Sequence, residues 1–276
     1  MHFMKIGILG ADGSMGRIIA GLAIGDPDIE IVAAFTEPNG PAVGTDIGML
    51  VGKKVIGVEI IDSVDLDEKL KAAKPDVVFD FTVAAATEAN APVVVQNGIR
   101  MVIGTTGLSQ DFLESFKVLV QENNAPSIIS SNMAVGMNLF LKVVGDVATA
   151  LEGWDTEVIE AHHNRKKDAP SGTAVTLAEI IAKAWNKNLD DIAKYGRARG
   201  PAPREKGVNE LGIHAIRAGD IVGDHTVLFA GAGERIELVH RAHDRSCFAS
   251  GAIKAAKFLV NADEPRLYTM KDVLGL

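Results

Sequence analysis

The stretch KIGILGADGSMG at residues 5–16 decides the fold, because an apolar run leads there directly into a glycine-rich turn. Residues 5–10 predict a buried strand, and residues 15–24 predict a helix. The glycines between them fit G-x-x-G-x-x-G, a spacing that permits a tight turn and lets the backbone at a helix start approach a pyrophosphate. The alternative is a glycine-rich loop that binds nothing. The predicted dinucleotide contacts in this turn are Gly10, Ala11, Asp12, Gly13, Ser14, Met15 and Gly16.

The first 130 residues continue the same alternation of apolar runs and helical spacing. Further strands are predicted at 30–35, 76–82, 98–106 and 125–130. Helices are predicted between them at 85–97 and 109–122. Continuous β-branched runs that alternate with helices indicate an α/β protein whose parallel sheet is covered on both faces.

The pattern changes past residue 131. Helices are predicted at 135–151, 173–185 and 246–260. Strands are predicted at 156–162 and near 211–218, 224–231 and 234–241, the last three as a meander. These elements predict a second, α+β domain and a C-terminal helix that packs on one domain or the other.

The composition limits the class of protein. The 276 residues include 36 acids and 28 bases, which give a formal net charge of -8. This balance argues against a nucleic-acid-binding protein, and an acidic ligand would require cations gathered locally. The single cysteine, Cys247, excludes an internal disulfide framework and suits a reducing compartment. No apolar stretch reaches membrane-spanning length and the N-terminus lacks the layout of a signal peptide, so we expect a cytoplasmic protein without a membrane partner.

Three more strand ends are candidate cofactor contacts, because ligands of open parallel sheets bind beyond the carboxyl ends of the strands. Glu37 follows the second predicted strand and is the candidate for the adenosine ribose, the alternative being an exposed glutamate before Pro38. No arginine stands next to Glu37, so NADH and NADPH both stay open. The alternative for the other two turns is an ordinary strand-end turn. Their candidate residues are Gly104, Thr105 and Thr106, and Ser130, Ser131, Asn132 and Met133.

A second cluster, EAHHNRKKDAPSGTA at residues 160–174, joins adjacent histidines to a basic run. Histidines that bind metal from one face usually stand at i,i+4 on a helix or i,i+2 on a strand, so His162 and His163 argue against a metal site and none is predicted. A nucleic-acid patch is weakly supported in a chain of this charge. A solvated loop explains the lysines but not the residues that follow Asp168.

Those residues begin a helix. Ser171 precedes the helical pattern, and Gly172 and Thr173 lie in its first turn, where backbone N–H groups lack partners and can hold a carboxylate or phosphate. With Lys166 and a histidine added, the loop can hold a small anion and supply protons at neutral pH. A nicotinamide reductase acting on a C=C or C=N bond needs this combination, a hydride from the cofactor and a proton from the protein.

The stretch EVIEAHHNRKKDAPSGTA at 157–174 resembles the signature of the 4-hydroxy-tetrahydrodipicolinate reductase (dihydrodipicolinate reductase) family. The resemblance implies a Rossmann-like domain at 1–131 plus 242–276, and an open mixed-sheet domain at 132–241 that binds substrate and builds a homotetramer. It also implies reduction of 4-hydroxy-tetrahydrodipicolinate with NADH or NADPH and release of water, in the diaminopimelate route to lysine. The other stretches that fit, in order, are GADGSMG (10–16), DFT (80–82), VIGTTG (102–107), SNMAVGMN (131–138) and GIHAIRAGDIVGDHTVLFAG (212–231).

The resemblance also implies roles for individual residues. His162 matches the proton donor and acceptor, and Lys166 matches the second proton donor. Family members often have a basic residue where Ser14 stands and an acid followed by arginine where Thr36-Glu37 stands, so the nucleotide preference stays open. The implied contacts to the dicarboxylate substrate are His163, Ser171, Gly172, Thr173 and, near a substrate-side arginine of the family, Arg245.

There are two alternative functions, and only the second belongs to a different class. One is a different two-domain Rossmann oxidoreductase, such as a semialdehyde or amino-acid dehydrogenase. A phosphorylating semialdehyde enzyme needs a nucleophilic cysteine, and Cys247 lies away from every predicted strand-end turn. The other is a non-catalytic dinucleotide-binding protein, which would be expected to have lost the proton donors, yet His162 and Lys166 are both present.

Overall fold

The structure is a computed structural model that describes residues 3–204 and 209–276. Residues 1–2 of the predicted N-terminal domain and residues 205–208 of the predicted second domain lie outside the described residues. The chain divides into two compact units. The first is Met1–Val135 with Arg245–Leu276, and the second is Gly136–Asp244.

Strands and helices alternate through most of the described chain. The strands are β1 (Met4–Leu9), β2 (Ile29–Thr36), β3 (Ile60–Asp62), β4 (Val77–Asp80), β5 (Arg100–Ile103), β6 (Ser127–Ile129), β7 (Asp155–His162), β8 (Ala193–Tyr195), β9 (Leu211–Arg217), β10 (Gly223–Ala230), β11 (Arg235–Ala242) and β12 (Leu267–Tyr268). The helices are α1 (Ser14–Gly25), α2 (Ile47–Leu50), α3 (Leu66–Ala73), α4 (Ala84–Gln96), α5 (Gln110–Glu122), α6 (Val135–Ala150), α7 (Gly172–Ala184), α8 (Leu189–Ile192), α9 (Ser246–Val260) and α10 (Met270–Leu274).

The first unit is built on a parallel sheet. Within the described residues its strands follow the order β12-β6-β5-β4-β1-β2-β3. Helices cover both faces of such a sheet, so its strands are apolar on both sides. Accordingly Ile6, Ile8, Phe35 and Phe79 are fully buried. The predicted Rossmann-like parallel sheet is confirmed.

Element bounds depart from prediction where a strand runs into a turn. β5 spans Arg100–Ile103 rather than the predicted 98–106, and a turn at 97–98 precedes it. The strands β3 and β12 span three and two residues and were not predicted, since so few residues carry no readable period. The short helices α2 and α10 escaped prediction for the same reason.

The second unit holds a mixed sheet in the order β11-β10-β7-β9-β8. β7 pairs antiparallel with β10 on one side and parallel with β9 on the other. The predicted meander of the last three strands is therefore wrong, because β7 lies between β9 and β10. Their connection crosses the end of β7, where Ala218 N donates to His162 O at 2.9 Å and Asn164 N donates to Gly219 O at 3.1 Å. A short connection had suggested a hairpin, but here it spans one intervening strand.

One face of the mixed sheet is covered by helices. Along β7 the buried residues alternate with half-buried or exposed ones, and α7 packs on β7 and β9. The indole N–H of Trp185, just after α7, donates to Ala148 O of α6 at 3.1 Å, which ties these two helices together. The opposite face keeps apolar side chains accessible, with Val239 44% and Ile216 47% exposed.

The C-terminal segment completes the first unit. α9 packs on α1, β4 and β5, and β12 pairs in parallel with β6. A Cβ atom at Gly251 of α9 would lie 1.8 Å from Met133 O, so only glycine allows this approach. No helix among the described residues combines the length and the apolar character that crossing a membrane requires.

Candidate functional site

The glycine-rich turn joins β1 to α1 in the first unit. Gly10 has φ +70, a conformation that favours glycine, and a Cβ atom at Gly16 would lie 2.1 Å from Gly10 O. Gly13 is the N-cap of α1. The backbone therefore closes tightly just before a twelve-residue helix. A helix start of this kind accommodates a pyrophosphate.

A cleft of about 340 Å³ opens beside this turn, at the carboxyl ends of β1, β2 and β4. Glu37 follows β2 directly and is exposed, as its predicted role requires. The Asp12 carboxylate accepts a hydrogen bond of 2.7 Å from Thr36 Oγ1, which holds the turn against the end of β2. The cleft is lined by Leu9, Gly10, Asp12, Gly13, Thr36, Glu37, Pro38, Ser63, Phe81, Thr82, Val83, Ala86 and Asn90.

A buried acid, Asp80, organises the next strand ends. Its Oδ1 accepts from Thr82 N at 3.0 Å, from Thr82 Oγ1 at 2.6 Å and from Thr105 Oγ1 at 3.4 Å. Burial raises the pKa of the Asp80 carboxyl, and these hydrogen bonds only partly oppose it. Thr87 Oγ1 donates to Thr105 Oγ1 at 2.8 Å. The network joins the end of β4 to the end of β5.

The residues of the two predicted turns beyond β5 and β6 differ in their exposure to solvent. Gly104 is half-buried, the Thr105 side chain is buried in the Asp80 network, and Thr106 is exposed. Beyond β6, Ser131 is exposed, whereas the Met133 side chain belongs to the hydrophobic core. Any cofactor contact by Met133 would therefore come from its backbone. Ser130 Oγ donates to Asn132 O at 2.9 Å, which closes this turn.

In the second unit, His162 ends β7 and is buried. Its Nδ1 lies 2.6 Å from Oε2 of Glu160, two residues earlier on the same face of the strand. Arg217 of β9 contacts both Glu160 oxygens at 2.8 Å and also donates to Asp168 O at 2.6 Å. The His162 and His225 rings meet edge to face, with centroids 5.2 Å apart.

The loop after β7 carries Lys166. Its ammonium pairs with Asp168 Oδ1 at 2.9 Å, and its backbone N–H donates to His163 O at 3.1 Å. The ion pair with Lys166 lowers the pKa of the Asp168 carboxyl. His163 is half-buried, whereas Arg165 and Lys167 are exposed.

The same loop ends at the N-terminus of α7, as predicted. Ser171 is the N-cap, and its Oγ accepts from Ala174 N at 3.2 Å. Ser171 N donates to Glu160 Oε1 at 3.0 Å, and Ser171 Oγ lies 3.2 Å from His225 Nε2. The backbone N–H and the hydroxyl of this buried serine are thus engaged in contacts within the second unit. Gly172 is exposed and Thr173 half-buried, so these two residues present the helix start.

The structure groups the predicted residues by unit. His162, His163, Lys166 and the start of α7 come together in the second unit. The glycine turn, Glu37 and both strand-end turns belong to the first. Arg245, predicted on the substrate side, also belongs to the first unit, where its Nη1 donates to Ser14 Oγ at 2.8 Å.

Sequence reasoning missed four charged or titratable residues of these sites. Asp80, Glu160, Arg217 and His225 are each bound to predicted residues or their neighbours. Asp80 and Glu160 had a local signal, an acid within an otherwise apolar strand. Arg217 had none, because it stands 57 residues from Glu160 and meets it only through the β7–β9 register.

Comparisons with known proteins cover the chain from end to end. A family model described as dihydrodipicolinate reductase, N-terminus, matches residues 4–133, and one described as dihydrodipicolinate reductase, C-terminus, matches residues 136–274. The 4-hydroxy-tetrahydrodipicolinate reductase of Methanothermobacter thermautotrophicus is 42% identical over 99% of this chain and 99% of its own length. That of Methanococcoides burtonii is 47% identical over 99% of each.

Solved structures agree with the sequence relatives. Dipicolinate-bound dihydrodipicolinate reductase from Paenisporosarcina sp. TG-14 is 25% identical, with a TM-score of 0.75 over 97% of both chains. An amine dehydrogenase from Mycobacterium smegmatis is 12% identical, with a TM-score of 0.61 over 97% of this chain and 95% of its own, and shares the fold alone.

Proposed function

This chain belongs to the dihydrodipicolinate reductase family, and on that premise we propose how its own residues hold the ligands and move protons. The enzyme is an oxidoreductase that reduces 4-hydroxy-tetrahydrodipicolinate to tetrahydrodipicolinate with release of water, in the diaminopimelate route to lysine. A semialdehyde or amino-acid dehydrogenase and a non-catalytic protein are not favoured. One observation carries the assignment of roles. The loop that leaves β7 at the buried His162 bears Lys166 and ends at the N-terminus of α7.

We assign the nicotinamide dinucleotide to the first unit. The fit rests on the glycine turn, where a Cβ atom at Gly16 would collide with backbone and where α1 begins. When bound, the reduced cofactor supplies the hydride. The residues proposed to hold it are Gly10 to Gly16, Glu37, Gly104, Thr105, Thr106 and Ser130 to Met133.

The proposed cofactor is NADH rather than NADPH. The described residues that line the cleft include two carboxylates, Asp12 and Glu37, and neither lysine nor arginine. A 2′-phosphate beside Glu37 would meet like charge, whereas a ribose 2′-hydroxyl can donate to Glu37. The Arg17 guanidinium donates to Asp12 O at 2.7 Å and lies outside this lining. Arg245 contacts Ser14 at the start of α1 and is not part of this lining.

Steady-state kinetics with both cofactors test this preference. We expect a higher kcat/KM with NADH, and we expect Glu37→Gln to narrow the ratio by about tenfold, since removing one charge relieves roughly 1.4 kcal/mol of discrimination. Glu30→Gln is the matched control, because Glu30 is an exposed acid near the opposite end of β2. A wild-type enzyme that prefers NADPH would show that Glu37 does not face the ribose.

The dicarboxylate substrate is assigned to the second unit. The first turn of α7 offers backbone N–H groups and the positive end of a helix dipole, presented by Gly172 and Thr173. Lys166 adds a cation in a chain that is acidic overall, and His163 lies on the same loop. Ser171 supports this anion site by capping α7.

The proton is assigned to His162 and Lys166. Reduction leaves an electron-rich nitrogen–carbon system that must take up a proton, and a positioned general acid typically contributes about 10²–10⁴-fold. The His162 imidazole is anchored through Nδ1, and Lys166 Nζ is held by Asp168. Both groups therefore occupy defined positions, His162 at the end of β7 and Lys166 on the loop that follows.

Substitution of the two proton donors tests the assignment. We expect His162→Ala and Lys166→Ala each to lower kcat by about 10²-fold or more while the fold stays intact. The assay couples aspartate semialdehyde, pyruvate and the upstream synthase to cofactor oxidation, and circular dichroism checks folding. Lys167→Ala is the matched control, because this neighbouring lysine is exposed. Full activity in both single variants would overturn the catalytic assignment.

We propose that the mixed sheet also builds a homotetramer. Its face opposite α7 carries exposed Val239 and Ile216, at 44% and 47%, and half-buried Ile159 and Leu228. An apolar sheet face of this kind suits self-association. Light scattering of the purified protein decides between a tetramer and a monomer.

The proposed cytoplasmic location is tested by cell fractionation.

A further inference from the structure

Resting on the proposed role of His162, we propose that Glu160, clamped by Arg217, is a positioning residue for the reaction. It fixes the imidazole of His162 with the proton on Nδ1, so that Nε2 is the nitrogen that exchanges a proton with the substrate. Glu160 does not touch the reacting atoms and acts only through His162.

The Glu160 carboxylate is saturated with donors. It is fully buried, and its Oε1 accepts from Arg217 Nη2 at 2.8 Å and from Ser171 N at 3.0 Å. Its Oε2 accepts from Arg217 Nη1 at 2.8 Å and lies 2.6 Å from His162 Nδ1. The paired contacts from one guanidinium fix the plane of the carboxylate, and hence the line along which His162 is held.

The charge state of Glu160 determines which nitrogen of His162 bears the proton. Burial alone would raise the pKa of Glu160, but the hydrogen bonds from Arg217, His162 and Ser171 outweigh it and lower the pKa below its usual range. An ionised carboxylate can only accept, so His162 Nδ1 must donate to it. A second proton on the ring can then reside only on Nε2.

The neighbouring strand β10 leaves room beside Nε2 of His162. A Cβ atom at Gly223 of β10 would lie 3.0 Å from His162 Nε2, closer than ordinary side-chain contact. Gly223 thus leaves free the space that a side chain would take beside the reactive nitrogen. Glu160 thus contacts one ring nitrogen of His162, and Gly223 leaves space beside the other.

Arg217 links both proposed proton donors. Besides Glu160, it donates to the backbone oxygen of Asp168, whose carboxylate pairs with Lys166. A buried ion pair is costly to desolvate, and apolar residues of similar volume can often replace it without loss of stability. The fully buried Glu160 carboxylate, held by Arg217 and in contact with His162, therefore points to a role in positioning.

The imidazole has titratable and charged neighbours on each element around it. Glu160 lies on the same strand, β7, and His163 follows His162 directly. Arg217 lies on β9. Lys166 and Asp168 stand on the loop that follows. On β10 the His225 ring packs edge to face, and burial together with the charge of His162 lowers the pKa of His225 to about 4, so His225 is neutral at pH 7.

Imidazole NMR of the folded enzyme tests the proposal without using activity. In protein labelled with ¹⁵N-histidine, the ring of His162 is identified by its loss in His162→Ala. We expect the neutral wild-type ring to be the Nδ1–H tautomer, and we expect Glu160→Gln to shift it to a mixture or to Nε2–H. A wild-type ring in the Nε2–H form would overturn the proposal even if Glu160→Gln does not fold.

Kinetics supply the second measurement. We expect Glu160→Gln to lower kcat by about 10²-fold with KM for the dicarboxylate little changed, and the alkaline limb of the kcat–pH profile to move to lower pH. Glu160→Asp keeps the charge and should restore part of the loss. Glu179→Gln, an exposed acid on α7, is the control expected to match wild type.

The outcomes separate this proposal from the one on which it rests. Full activity in His162→Ala would remove the proposed function of His162. A different outcome would overturn the positioning role alone. In it, His162→Ala loses activity, but Glu160→Gln keeps the wild-type kcat, pH profile and His162 tautomer.

Discussion

Substitution of His225 should remove a defined part of the pH dependence of stability. Its side chain is buried on β10, and burial together with the charge of His162 lowers its pKa to about 4 from 6.5. Because the folded-state pKa lies below the unfolded one, the unfolded chain binds more protons between these values. Stability is therefore lost as the pH falls through that window. At pH 5 the unfolded imidazole is mostly charged and the folded one mostly neutral, which corresponds to a loss of about 2 kcal/mol.

Urea unfolding of wild type and His225→Gln at pH 7.5 and pH 5 measures this contribution. The glutamine amide can still reach Ser171 Oγ but does not titrate. Both tryptophans, Trp154 and Trp185, belong to the second unit, so their fluorescence follows the unit that contains His225.

We expect wild type to lose about 2 kcal/mol more than His225→Gln between the two pH values, because the other histidines contribute equally to both proteins. His243→Gln, which alters an exposed histidine of the same unit, should behave like wild type. Equal losses in wild type and His225→Gln would refute the argument, since they would mean that the folded protein charges His225 as readily as the unfolded chain does.

Three further changes have defined outcomes. Gly223→Ala should lower kcat by about tenfold or more with little change in Tm, because its methyl group would lie 3.0 Å from His162 Nε2 and move the ring. Asp272→Asn should lower the unfolding free energy by about 1 kcal/mol at pH 7, because solvent screens part of the interaction with the partly exposed Arg266. Burial raises the Asp272 pKa, but the bond from Arg266 and others lower it to about 2, so this stability is lost as the pH falls below about 4 and the difference should halve by about pH 3. Gly104→Ala should lower the unfolding free energy by about 1–3 kcal/mol in urea titrations, because a Cβ atom there would lie 2.0 Å from a phenylalanine ring; an unchanged midpoint would contradict the packing.

The sequence predicts well those features that depend on neighbours along the chain. The turn around Gly13 and the cap at Ser171 each combine a local residue pattern with the start of a helix, and the structure has both. The local pattern singles out Lys166 and a histidine beside that cap, whereas the choice of His162 over His163 as the proton donor comes from the family resemblance.

Features that depend on sheet order were not predictable in the same way. β7 has two edges, and nothing in its alternating pattern states that β9 takes one edge and β10 the other. The contact between Glu160 and Arg217 follows from that order, since the β7–β9 register sets His162 opposite Arg217. Without the register, Arg217 is only one more arginine in a strand.

The return of α9 and β12 to the first unit has a consequence for biosynthesis. α9 contributes Ala252, Ala255, Ala256 and Leu259 to the same core as Ile6 and Ile8 of β1. During translation part of the apolar surface of the parallel sheet therefore stays uncovered until residues 245–276 have left the ribosome and α9 can pack against it. In the second unit, 136–244, all of the described strands precede residue 245 in the chain. Ribosome-bound chains in which residue 244 has emerged while residues 245–276 are still inside the exit tunnel should thus hold a protease-resistant second unit and a first unit that is still open to cleavage.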